Sequence, residues 1–278
     1  MTGILFAALA TFFGELSTSI GKYEIERKRE GIYVMGFLTL FWATVFFFVA
    51  VFVIKKEFIF SAASLPTFIA RALLEIIQAH VTLHAISVAS RSTFSFLRVV
   101  TLPLLLLIDF FLGYDIGAVQ VIGIGIIVLA LILGFSGNGV NRTGSGFILF
   151  TAINGALTIS LYKYNITHFN SVETEGLLIH GILLIYFFAA ALFIAHRNPF
   201  IYLTKPIFLL QSLAAGVGSV ILSFAYVFAP ASVITTAKRS FELVWSILYG
   251  KIVFYEQRIW LKVAILGSLV IGLILLIL

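Results

Sequence analysis

Apolar residues run in blocks of about twenty, long enough to cross roughly 30 Å of hydrocarbon as helices. They fall at 2–21, 32–54, 66–86, 92–112, 116–135, 145–164, 176–195, 207–227, 232–254 and 259–278. The pattern predicts ten transmembrane helices. Polar and turn-forming stretches separate the blocks: "KYEIERKREG", "KKEF" ahead of Pro66, "SGNGVNRTGSG" and "HRNPFIYLTKP". Runs such as "LPLLLLI" lack the alternation that a membrane β-barrel requires, so the expected class is all-α integral membrane.

The glycine-rich loop lies near the midpoint, and the halves flanking it repeat. At an offset of 141, Gly3 aligns with Gly144, Phe6 with Phe147, Gly14 with Gly155, Ser19 with Ser160, and Lys22 and Tyr23 with Lys163 and Tyr164. At 140, Phe68 aligns with Phe208, Ala85 with Ala225, Ala89 with Ala229, Ser92 with Ser232 and Arg98 with Lys238. The expected units are 1–137 and 138–278, five helices each. Five is odd, so the second unit enters the membrane from the opposite side as an inverted repeat. Such repeats place a substrate site near the midplane and permit alternating access.

Composition agrees with a lipid-covered chain: 61% of residues are hydrophobic and 11% charged, whereas a soluble domain is about 25% charged. Mean hydropathy is +1.14. The net charge of +6 is spread over connectors rather than gathered in a stripe, which argues against nucleic acid as a partner. The absence of cysteine excludes disulfides and thiolate chemistry. The first block has no basic leader and contains Glu15, so it reads as a retained span. The expected setting is a multi-pass protein in a bacterial or archaeal plasma membrane, with the bilayer and a small-molecule substrate as partners.

A charged side chain at the bilayer centre costs about 2.5–3.5 kcal/mol on insertion scales, so each one inside a block needs a partner or a wet cavity. Glu15 is a candidate proton-coupling carboxylate or a structural acid. Arg71, Glu75, Gln78 and Thr82 share one face of the third block, where Arg71 and Glu75 are spaced to pair. His80 and His84 lie on the opposite face; no third ligand accompanies them, so cavity lining or bonding between helices is expected rather than a metal. Arg98 precedes Pro103 in the fourth block and is the repeat counterpart of Lys238. In the ninth block Lys238, Glu242, Trp245 and Tyr249 share a face with Arg239 at its border. Arg71, Arg98, Lys238 and Arg239 against Glu15, Glu75 and Glu242 leave one excess positive charge. An anionic or zwitterionic substrate would supply the difference.

Several of these features resemble the drug/metabolite transporter superfamily in its ten-helix, EamA-type form. They are the two five-helix units, Gly14 and Glu15 or Asn154 and Gly155 within the first helix of each, and "YDIG" or "YEQR" opening the fifth. "KRSFELVWSILYGK" is similar to the ninth helix of sugar-phosphate translocators, where a lysine and arginine grip phosphate; the resemblance implies that role for Lys238 and Arg239. Glu242, one turn on, departs from that pattern and suits a zwitterion.

The expected function is secondary transport of a small polar organic metabolite by alternating access, proton-coupled or exchanging. Arg98, Lys238, Arg239, Glu242, Trp245 and Tyr249 would face substrate, and Glu15, Arg71, Glu75, His80 and His84 would form the coupling and polar cavity. Export of cationic or neutral drugs or amino acids is the alternative. An intramembrane lipid-phosphate enzyme, drawing on His80, His84 and Asp109, is a further rival; no catalytic residue, metal or cofactor is expected. Connector charges place both termini outside by the positive-inside rule, whereas the resemblance implies both in the cytoplasm.

Overall fold

The computed structural model describes residues 1–89, 93–94, 97–136, 143–254, 267–268, 271–272 and 274–275. The order is α1 (Thr2–Glu26), α2 (Ile32–Val49), α3 (Leu65–Val88), α4 (Thr101–Phe111), α5 (Ala118–Ser136), α6 (Ser145–His168), α7 (Val172–Phe193), α8 (Pro206–Ala225) and α9 (Ala231–Phe254). A π-helical turn, Ala50–Lys55, prolongs α2. No strand occurs among the described residues. Among the described residues, six helices are long and apolar enough to span a membrane: Thr2–Glu26, Ile32–Lys55, Ala62–Val88, Ser145–His168, Val172–Phe193 and Pro206–Ala225. Ser92, Ser95 and most of the predicted tenth span lie outside the described residues.

Local chemistry sets the helix ends. Pro66 and Pro206 open α3 and α8, where a missing N–H is tolerated. Ser171 caps α7 by accepting from the Thr174 N–H at 3.2 Å. Among the described residues, four helices close on a left-handed residue with a backbone bond that reaches back five or six residues. The left-handed positions are Lys28, Lys56, Gly113 and His196, and the bonds run from Arg29 to Glu24, Glu57 to Val51, Tyr114 to Asp109 and Arg197 to Ala191. The fourth predicted span is broken. Arg98–Val100 is a 3₁₀ turn ahead of α4, because Pro103 has no N–H to give the Val99 carbonyl and an α-helix cannot run unbroken through it.

α1 packs along α8 and α9, α2 between α7 and α8, and α3 along α6. One apolar core gathers Ile4, Leu102, Leu105, Ile127 and Ile234; a second gathers Phe37, Leu38, Leu83, Ile179 and Phe187. Small residues permit close contact between helices: a Cβ on Gly218 would lie 2.8 Å from the Ala10 carbonyl. Outward faces expose Phe110, Phe111, Ile185 and Phe193, as lipid contact requires.

Candidate functional site

Between the two cores lies a cavity of about 380 Å³ lined by residues of α1, α2, α3, α6, α7, α8 and α9, by Phe94 and by the turn before α4. Glu15 enters from α1, Glu75, Gln78 and Thr82 from α3, Arg98 from its 3₁₀ turn, Thr158 from α6, Ser219 from α8, and Lys238 and Glu242 from α9. Five charged residues, remote in sequence, therefore border one space inside an otherwise apolar bundle. A cavity of this size accommodates a small metabolite.

Glu242 bridges the adjacent cations of α9. Its Oε1 is 3.6 Å from Lys238 Nζ and its Oε2 accepts from Arg239 Nη1 at 2.5 Å. Arg239 is buried and outside the cavity lining, so Lys238 alone of that pair borders the space. Arg98 lies over the Phe94 ring at 4.9 Å, in the electrostatic field of Arg239, Glu242 and Glu15. Gln78 borders the cavity with its amide committed: Nε2 donates to the Thr151 carbonyl at 2.9 Å and Oε1 accepts from Asn154 Nδ2 at 2.9 Å.

Arg71 is also outside the lining. Its Nη1 donates to Glu175 Oε1 at 2.7 Å, its Nε is 3.7 Å from Glu75 Oε1, and its guanidinium lies 4.5 Å from the Tyr162 ring centroid. Glu175 accepts further from Asn165 Nδ2 at 2.9 Å and Asn170 Nδ2 at 2.6 Å. Asn165 in turn accepts from Thr67 and Asn170 from the Ser61 N–H, so the network knots the start of α3, the end of α6 and the start of α7. Glu175 is absent from the sequence-based tally of deep charges. Glu175 adds a fourth acid to Glu15, Glu75 and Glu242 and removes the excess positive charge of that count; Asp109, Lys22, Lys163, Glu24, Glu30 and Glu173 are buried as well and lie outside it.

The remaining candidates are dispersed. His80 Nδ1 pairs with the Tyr186 hydroxyl at 2.9 Å, and His84 stands edge-on to Phe147; neither borders the cavity. Trp245 stands edge-on to Phe12 with its indole N–H buried and unpartnered. The Tyr249 side chain lies outside the described residues. Asp109 is fully buried and outside the cavity lining, where its Oδ2 accepts from the Ser232 N–H at 2.6 Å and caps the start of α9. His180, not singled out by sequence, bonds Ser219 Oγ at 2.7 Å and so supports the cavity wall from behind. Its visible trait is a lone histidine inside an apolar block. No cluster of three or more His, Cys, Asp or Glu suited to a metal occurs among the described residues.

No family model and no curated protein matches the chain. Among solved structures 24 chains match. One, described only as "Crystal structure of protein", superposes on 99% of this chain and 94% of its own with a TM-score of 0.70 at 11% identity, a likeness of fold alone.

Proposed function

We propose that the chain is a secondary transporter that moves a small polar organic metabolite by alternating access between two inverted five-helix units, as the drug/metabolite transporter resemblance implies. The observation that carries this reading is the cavity bordered by Glu15, Glu75, Arg98, Lys238 and Glu242. Charges facing a space inside the membrane are costly unless that space receives a polar guest. Charges of both signs on the cavity wall favour a zwitterion over a net anion: cations at Arg98 and Lys238 suit its carboxylate or phosphate, and Glu75 and Glu15 suit its ammonium.

Repeat-related contacts support the inverted arrangement. α1 lies along α8 as α6 lies along α3. Lys22 Nζ donates to the Ala89 carbonyl at 2.7 Å at the end of α3; Lys163 Nζ, 141 residues on, donates to the Tyr226 carbonyl at 2.7 Å at the end of α8. A Cβ on Gly3 would press on Ala225 and Phe228, and one on Gly144 on Val88 and Ala89.

The test is thermal-shift screening of purified protein against phosphorylated metabolites, nucleotides, amino acids and organic cations, then counterflow in liposomes. A zwitterion should stabilise the protein, with apparent affinity reduced at least about tenfold in Lys238→Ala/Arg239→Ala, a loss of about 1.4 kcal/mol or more. Stabilisation by organic cations alone, unchanged in the variant, would reject the reading.

A further inference from the structure

A second buried polar cluster lies where α1 ends. Glu24 in the last turn of α1, Glu30 in the connector to α2 and Gln211 on α8 are 3%, 4% and 0% exposed. Gln211 Nε2 donates to Glu30 Oε1 at 3.1 Å. The other atoms of the two planar groups, Gln211 Oε1 and Glu30 Oε2, are buried and have no hydrogen-bond partner, and the same holds for Glu24 Oε2. Two oxygens cannot satisfy each other, and leaving both buried and unpaired is costly. A proton on Glu30 Oε2 would turn that oxygen into a donor, and Gln211 Oε1 is a buried acceptor that lacks one. Gly21 makes room for the carboxamide, since a Cβ there would lie 2.8 Å from Gln211 Nε2 and 2.7 Å from Met35 Cε.

We propose that Glu30 is a proton-binding site whose acid form ties the α1–α2 connector to α8 through Gln211, and whose ionised form loosens that tie. This goes beyond the transport reading and stands independently of it. The surroundings offer little to balance a carboxylate. α2 carries no Asp, Glu, Lys, Arg or His and contributes Tyr33 as its titratable group near this end, and α8 contributes none. From α1, Glu24 repels a second negative charge, and Lys22 is held by the Ile86 and Ala89 carbonyls and by Glu26 at 3.5 Å. Arg29, mostly exposed, stands 3.8 Å from Glu24. Burial pushes the Glu30 carboxyl up to about 8; the bond from Gln211 pulls the other way and the Glu24 charge adds to the rise.

The opposite end of the bundle gives the contrast. Arg71 stands 140 residues before Gln211, Asn165 stands 141 after Glu24 and Asn170 stands 140 after Glu30. There, one arginine and two asparagines surround Glu175, so a cation and two amide donors face its carboxylate. At the α1 end the same three positions hold two acids and an amide, so neutrality calls for a bound proton.

Infrared difference spectroscopy on the full chain in nanodiscs, titrated from about pH 6 to about pH 10, reads the site directly. The expected result is a protonated-carboxyl C=O band that vanishes with a midpoint near 8, is missing in Glu30→Gln and moves to higher wavenumber in Gln211→Met, where the acid has lost its amide partner. Replacing sodium by choline at constant ionic strength should leave the midpoint unmoved. A band unchanged in Glu30→Gln, or no such band, would overturn the proposal. A sodium-dependent midpoint would overturn it too, by placing a metal cation on these oxygens.

Discussion

Glu175 gives the sharpest test of the packing. It is fully buried and accepts charge-assisted bonds from Arg71, Asn165 and Asn170. Glu175→Ala removes all three and leaves Arg71 with Glu75 at 3.7 Å and the Tyr162 ring. Breaking a buried pair by deleting one partner costs about 3–5 kcal/mol. Glu75 and Tyr162 recover part of that, so the expected loss is about 3 kcal/mol. Glu175→Gln keeps the volume and one acceptor and should lose about 2 kcal/mol, roughly one charge-assisted bond. The double variant Arg71→Met/Glu175→Met should lose at least about 1 kcal/mol less than the sum of its singles, since neither charge is then stranded. Equilibrium unfolding in mixed micelles, followed by circular dichroism, measures all of these. Single variants within about 0.5 kcal/mol of the parent, as surface changes give, would refute the buried-network reasoning, and so would strict additivity.

Five other outcomes follow from the same structure. Asp109→Ala should cost about 1–3 kcal/mol in the same unfolding assay, because the Ser232 N–H at the buried start of α9 loses its acceptor. Gly216→Ala should destabilise by at least about 1 kcal/mol, since its Cβ would lie 2.9 Å from the backbone of Trp42 and of Ala43; Gly14→Ala, with nothing within 4 Å, should gain about 0.5–1 kcal/mol of helix propensity. Lys28→Gly, relieving a left-handed φ of 57°, should stabilise by about 1 kcal/mol in thermal melts. Glu30 ionises near 4.5 when exposed but only near 8 in the fold, so the native state binds more protons between those values. Stability should therefore be highest below 4.5 and fall by up to about 1.4 kcal/mol per pH unit until 8, a slope that Glu30→Gln should remove.

The hydropathy pattern located the six long apolar helices well and their polar ends poorly, and one physical cause accounts for both. A run of apolar residues reports lipid exposure, so it stops wherever charge begins. α1 continues through Lys22, Glu24 and Glu26 beyond the predicted end at 21, and α7 starts at Val172, four residues before the predicted start, because Glu173 and Glu175 stand in its first turn. That trimming placed Glu175 in a connector and out of the charge tally. Helical spacing revealed Arg71 with Glu75 and Lys238 with Glu242, pairs within one helix. It cannot reveal a partner 104 residues away, and that distant partner is the one closest to Arg71. The consequence reaches the proposed substrate. With Glu175 left out, the charges counted from sequence hold a surplus cation that an anion would balance. With it included, that surplus is gone, and Arg98, Lys238, Glu15, Glu75 and Glu242 around the cavity offer both signs at once. On the transport proposal, a guest that carries both signs fits this lining better than a net anion. For that reason the phosphate-gripping role that the ninth-helix resemblance implies for Lys238 and Arg239 is the weaker expectation: Glu242 already holds both cations.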